Sequence, residues 1–459
     1  MHRRLRLYSA GFAVLLAASM HSGAATFAVD SALDTVDANP GDGLCADAID
    51  AACSLRAAID ESNASQGADE IEMPTGDFML TIAGSGEDLN ASGDLDIAGD
   101  VTIRGAGVDA TRIDGSALDR VVDIHAGAEP RTVHFEQLTI RNGMLIDEGL
   151  HESGVGVRVG ETVRLLLDDI VIRGNRSTNT SGATAIDIGG CVEGSHVRIL
   201  DNRDTDEAGS ASALAAMYVH GAGACLTLVD SEISGNLADW AGAILADDGA
   251  PIMIRRSLIS DNEARFAGAM ILNSNNDTLL ENVTISGNRG NPGAILNDGG
   301  AHLNLVNSTV TGNGPSNASC VVGGIQDVHG GFGLTFLSNT VLYGNGPGFL
   351  ADDCEAATSA GGGNMIGDSA RCRFDAQPSD QLDVDPELGP LADNGGFTRT
   401  HLPGGAAIDR AQAASCPAVD QRGLQRPADG DGDGDAVCDV GAVEVQRDAI
   451  FVDGFDGER

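Results

Sequence analysis

Between residues 100 and 345 one short pattern of apolar and polar positions keeps returning. An aliphatic residue followed three positions later by asparagine occurs as Ile233 with Asn236, Ile259 with Asn262, Ile285 with Asn288 and Val310 with Asn313. Looser copies are Ile172 with Asn175, Ile199 with Asn202 and Leu342 with Asn345, and Ile103 and Ile140 keep the aliphatic residue without that asparagine. The aliphatic position thus recurs at 103, 140, 172, 199, 233, 259, 285, 310 and 342, with spacings of 37, 32, 27, 34, 26, 26, 25 and 32. In phase with it, Gly242, Gly268 and Gly293 each open a short apolar run, and residues such as Ile252 and Ile254 or Leu303 and Leu305 alternate upstream. Alternation at period two predicts short strands. A repeat of this length with several strands and no helical periodicity predicts a solenoid. The unit is too short for a four-stranded propeller blade and lacks the leucine spacing of leucine-rich repeats.

The pattern therefore predicts an all-β chain, a right-handed parallel β-helix of about nine or more coils with a short N-terminal capping helix. Nine coils at ~4.8 Å give a rod on the order of 40–45 Å. The asparagines are expected at one fixed corner, where their side chains tolerate a left-handed backbone and can hydrogen-bond to one another along the axis. Extra residues after Asn142, Asn202 and Asn313, at 144–155, 203–213 and 315–320, are expected as loops on one face.

A solenoid end exposes apolar core and open backbone, so both ends need covering. Residues 53–63 read as a helix capped by Ser54, with Leu55, Ala58 and Ile59 as its apolar stripe. This stretch, Cys53-Ser-Leu-Arg-Ala-Ala-Ile-Asp-Glu-Ser-Asn63, resembles the CSLREA domain of exported bacterial β-helix proteins, departing from it at Ala57 and Ser62. Residues 397–409, 420–427 and 438–444 look like the closing region of choice-of-anchor Q proteins. The two resemblances imply a β-helix fold and an extracellular place; neither brings an assigned catalytic residue. The expected organisation is a signal peptide at 1–25, an N-terminal cap and first strands at 26–95, the β-helix at 96–375, a C-terminal capping region at 376–445 and a tail at 446–459. The leader reading rests on Arg3, Arg4 and Arg6, a short apolar run from Ala10 to Ala18, and Gly23, Ala24 and Ala25 before the cut. Ile450 to Phe455 is similar to short sorting or attachment tails on exported proteins of Gram-negative bacteria. No later stretch has the ~20 apolar residues needed to span a bilayer.

Composition narrows the partners. The net charge is −41, from 68 acidic against 27 basic residues. Such a surface repels nucleic acid and, unless calcium bridges them, anionic polysaccharides. Aromatics are only 3% of the chain, which argues against a strong sugar-binding cleft. Nine cysteines suit an oxidising compartment; Cys45 with Cys53, Cys191 with Cys225, Cys354 with Cys372 and Cys416 with Cys438 suggest themselves as pairs, leaving Cys320.

Catalytic signals are sparse. A polygalacturonase-like site needs paired carboxylates with Gly-His-Gly and Arg-Ile-Lys motifs nearby; both motifs are absent. The Asp168–Asp169, Asp247–Asp248 and Asp352–Asp353 pairs read as solvated turn residues, and His220 and His329 each precede a glycine. A lyase needs a cationic base and calcium ligands on one face. Arg104, Arg141 and Arg173 hold the same place in three successive coils by this alignment, a stripe able to hold a carboxylated sugar or simply to pair with acidic neighbours. The best ion signal is the alternation of Asp429, Asp431, Asp433 and Asp435 with glycine, which suits calcium, although Val440 stands where an EF-hand loop has its bidentate acid. The sequence thus reads as an extracellular or cell-surface binding scaffold with a glycan or cell-surface partner and no nucleic acid. The alternative is a calcium-assisted polysaccharide lyase or glycoside hydrolase.

Overall fold

The structure, a computed structural model, describes residues 23–146, 153–178, 182–204, 213–273, 275–315, 322–327, 334–346, 352–355 and 357–447. Residues 1–22 of the expected leader, Cys320, His329, most of the three expected loops and nearly all of the tail lie outside these residues.

The described chain winds as a parallel β-helix. Ten strands from Leu95–Ile97 to Asp352–Glu355 stack in chain order into one parallel sheet. A second, longer sheet carries two strand segments per coil, such as Ile252–Arg255 and Leu258–Ser260. One left-handed residue divides the two segments in each coil: Gln137, Asp169, His196, Asp230, Arg256, Asn282, Asn307 and Asn339 all have φ between 43° and 55°. Short strands such as Arg176–Thr178 and Arg203–Asp204 form a third side.

Period-two alternation sends every second residue inward. The column Ile140, Ile172, Ile199, Ile233, Ile259, Ile285, Val310 and Leu342 is buried throughout, as is the facing column Val122, Val157, Ile186, Met217, Ile244, Met270 and Ile295. Each such side chain adds about 1.5–3 kcal/mol by leaving water. The first coil corrects the sequence alignment. Ile113, not Ile103, pairs with Ile140, because the eleven-residue strand Arg131–Arg141 pairs with both Asp100–Arg104 and Thr111–Asp114.

The recurring asparagines also need a correction. They are not themselves left-handed; the residue before each one is, at Gly174, Asp201, Gly235, Asp261, Gly287, Gly312 and Gly344. That turn points the amide inward. Asn175 Nδ2 donates to Asn202 Oδ1 at 2.9 Å, and the relay continues through Asn236, Asn262, Asn288 and Asn313 to Asn345. Asn345 Nδ2 donates to Asp353 Oδ1 at 2.8 Å, so the second acid of the 352–353 pair is buried at the end of the ladder instead of solvated.

At the N-terminal end, helix Leu55–Ala64 is capped by the Ser54 hydroxyl, which accepts the Ala57 N–H at 3.0 Å, and its Leu55, Ala58 and Ile59 join the core. Four disulfides join the expected pairs: Cys45–Cys53, Cys191–Cys225, Cys354–Cys372 and Cys416–Cys438. The segment after residue 384 does not simply stop at the last coil. It folds back along the flank of the long sheet, where the Thr284 hydroxyl meets Gln421 Oε1 at 2.6 Å, Asn282 Nδ2 donates to the Val419 carbonyl and Asn307 Nδ2 to that of Asp439. No helix among the described residues is long and apolar enough to cross a membrane.

Burial leaves a pH signature. It pushes Asp94 and Asp439 up to about 7 and Asp60 up to about 6. These folded values lie above that of an unfolded aspartate, so the folded protein keeps protons that the unfolded chain has released. Stability from these groups is therefore full near pH 4 and lost as pH rises through 7. His125 and His220, raised by bonds to Asp96 and Asp187, add to the same trend. The melting temperature is expected to be higher at pH 5 than at pH 8 in thermal scans at fixed salt; the reverse order would show that the buried carboxylates ionise without penalty.

Candidate functional site

The residues flanking the inward aliphatic column point outward on the long sheet. In register along one line stand Arg112, Thr139, Val171 and Arg198, and along the other Asp114, Arg141, Arg173 and Leu200. Around the corner made by Asn142, Gly174 and Asp201, the third side places Arg176 in register with Arg203. Together these walls form a groove of about 550 Å³ lined by Arg112, Arg141, Arg173, Arg176, Arg198 and Arg203, with Asp109 and Asp201 as the acids of its lining among the described residues. A second hollow of about 910 Å³ shares Asn142, Gly174 and Arg176 with it and runs on past Ser116 and Met144.

The charges are only partly answered. Arg141 reaches Asp114 at 2.8 Å and Asp77 at 3.1 Å, and Arg112 reaches Asp77 at 3.3 Å. The half-exposed Arg173 meets Asp201 at 3.4 Å. The Arg198 guanidinium lies 4.6 Å above the Phe397 ring. Arg176 and Arg203 are exposed and have no carboxylate partner among the described residues. Every one of the chain's 27 basic residues is arginine, and six line this one groove. The Phe397 ring also lies 4.9 Å from that of His196. Beyond it the folded-back segment covers the same face: Arg399 approaches Glu232 and Asp261 at 3.5 Å each, and His401 meets the Ser286 hydroxyl at 2.9 Å. The groove is the stretch of this face that the segment leaves open.

Residues 127–341 match the family model described as right handed beta helix region. The chain is a right-handed parallel β-helix. Two solved structures resemble it. Pectate lyase Pel9A has 12% identity and a TM-score of 0.46, over 93% of this chain and 97% of that one. The catalytic domain of a GH87 alpha-1,3-glucanase has 14% identity and a TM-score of 0.28, over 72% and 67%. No curated protein sequence matches the chain.

In this β-helix the expected arginine stripe is regrouped. Arg104 lies in register with Glu136 and is clamped between Glu70 and Glu136, away from Arg141 and Arg173. The missing members are Arg112, Arg176, Arg198 and Arg203. A sequence signal for two of them existed, since Arg176 and Arg203 each directly follow a ladder asparagine.

The aspartate pairs are scattered. Asp168 and Asp169 sit at the bend of the long sheet, where Asp168 accepts the Ser195 hydroxyl at 2.8 Å. Asp247 lies on the ten-stranded sheet's side, accepting Tyr218 Oη at 3.1 Å and Asn273 Nδ2 at 2.9 Å, and His220 stacks on Tyr218 and meets Asp187 at 2.8 Å. This polar cluster escaped sequence reading because its members come from four coils.

The Asp–Gly loop is bonded mostly to itself. Asp429 accepts the N–H groups of Gly432 and Gly434, and Asp433 accepts that of Asp435. Asp429 and Asp431 gather with Asp409, their carboxylate oxygens within 4.8 Å of one another, while Asp433 and Asp435 stand outside that group. A second group joins Asp88, Asp96, Asp123 and His125; there Asp123 already meets Arg120 at 3.1 Å and Arg158, and Asp96 meets His125 at 2.7 Å.

Proposed function

We propose that this protein is an exported β-helix scaffold that binds an acidic glycan outside the cell through its arginine groove. One observation carries the reading: six arginines converge on a single groove of a chain whose net charge is −41. The average surface repels anions, so a local cluster of this kind has to be a selective attractor. Guanidinium groups suit carboxylates because their planar forks bond both oxygens. Successive coils repeat at ~4.8 Å, so an extended polymer lying along the axis meets one arginine-bearing coil after another. The leader-like N-terminus, the CSLREA-like and choice-of-anchor Q-like ends, and four disulfides, which persist in oxidising compartments, support the extracellular setting.

Calorimetric titration of residues 26–459 with uronate-containing and neutral oligosaccharides of equal length tests this. The expected result is binding of the acidic series alone, weakening as salt rises, with the recovered oligosaccharide uncut. Equal binding of the neutral series, or no binding of either, would overturn the proposal. Release of unsaturated or new reducing ends would replace the scaffold reading with a lyase or hydrolase acting in the same groove.

A further inference from the structure

Trp240 and Phe266 each lie four residues beyond a ladder asparagine, Asn236 and Asn262, so the winding places them one coil apart on the same corner. Their ring centroids are 4.9 Å apart with the planes tilted by 30°. Phe266 packs against the small apolar cluster formed by Ala215, Ala241, Leu245, Ala267 and Ile271, which holds it in place behind the indole. The two turns are tied together, since the N–H groups of Arg265 and Phe266 both donate to the Asp239 carbonyl, at 3.0 and 3.2 Å. Trp240 is nevertheless 42% exposed. It is the only tryptophan in a chain with 3% aromatics. A large apolar ring kept at the surface on a rigid backing, with Asp239 next to it in sequence and Arg265 lying 5.3 Å over the Phe266 ring, has the chemistry to stack on the C–H face of a sugar while bonding its hydroxyls. The position fits the groove as well. Arg203 bridges to Leu237, three residues before Trp240, and the Asp204 N–H donates to the Leu237 carbonyl at 3.0 Å.

We propose that Trp240, backed by Phe266, is an aromatic subsite one coil beyond Arg203 that stacks a sugar ring of a glycan held in the arginine groove. The proposal rests on the glycan reading of that groove. Because the chain has one tryptophan, its emission reports on this subsite alone. Titration with acidic oligosaccharides is expected to change the emission saturably, with the midpoint found by calorimetry. Trp240→Leu is expected to weaken binding of long oligomers about tenfold while leaving the shortest binding oligomers within about twofold, and Trp240→Phe to restore most of the loss. Calorimetric binding with unchanged emission and an indifferent Trp240→Leu would overturn the subsite and leave the groove reading intact. Absence of calorimetric binding would remove both. An emission change that follows protein concentration alone, with a dimer in sedimentation, would overturn the subsite in favour of contact between two copies of the chain.

Discussion

Asn262→Leu is expected to cost about 4 kcal/mol or more in urea unfolding, although the side chains are close in size. The Asn262 side chain is fully buried. Its Oδ1 accepts both the N–H and the Nδ2 of Asn236, at 3.1 and 2.9 Å, and its Nδ2 donates to Asn288 Oδ1 and to the Ile233 carbonyl, both at 2.9 Å. Leucine supplies none of these bonds: it strands the Asn236 N–H and takes one bond each from Asn236 Nδ2, Asn288 Oδ1 and the Ile233 carbonyl in a dry interior, where an unsatisfied group costs about 1–3 kcal/mol. Asn262→Asp separates the two halves of the account. It keeps the acceptor, as Asp353 does for Asn345, but turns a carboxylate toward the oxygens of Asn288 and Ile233. It is expected to be destabilising at pH 7 and to recover partly at low pH, when the carboxyl can donate. A loss below about 1 kcal/mol for Asn262→Leu would show that the ladder decorates the corner without holding it.

The second large effect concerns binding. Arg173→Glu combined with Arg176→Glu is expected to lower affinity for acidic oligosaccharides about a hundredfold, with the melting temperature little changed. Both side chains are exposed, and the pair between Arg173 and Asp201 is a surface pair worth little to folding. Arg104→Gln is the informative control. Sequence alignment puts Arg104 in line with Arg141 and Arg173, whereas the structure puts it in register with Glu136. Binding within about twofold of the parent is therefore expected for this variant, against the loss on charge reversal in the groove. Equal losses at Arg104 and at the Arg173–Arg176 pair would mean that any reduction in positive charge weakens binding, and that the groove has no special part in it.

Much of the architecture was legible because the features that make a coil lie close together in sequence. The inward aliphatic, the left-handed turn and the ladder asparagine fall within four residues, and the winding repeats them. The alignment slipped only in the first coil. Ile103 and Ile113 are both followed two residues later by glycine, at Gly105 and Gly115, so local spacing does not choose between them; pairing with the long strand Arg131–Arg141 does. The asparagine's conformation was misread for a related reason. Composition says that the corner contains a left-handed residue, but only the backbone shows that it precedes Asn and frees the amide to point inward.

The groove was less legible, because it depends on register between coils of unequal length and on two sides of the helix meeting at a corner. Arg141 and Arg173 lie on one wall, Arg176 and Arg203 on another. Phe397, which meets Arg198, arrives from nearly two hundred residues away, and no local pattern announces contacts such as Thr284 with Gln421 or Ser286 with His401. The aromatic corner illustrates the same limit. Aromatics are rare enough to argue against a sugar platform when counted, yet the winding sets two of them face to face.

Arginine-specific modification with phenylglyoxal, read by mass spectrometry with and without a saturating acidic oligosaccharide, shows which arginines the ligand covers. The ligand is expected to protect Arg173, Arg176 and Arg203 while an exposed arginine elsewhere, such as Arg164, reacts as before. Unchanged reaction at the three groove arginines, or protection centred on another face of the β-helix, would contradict binding in the groove.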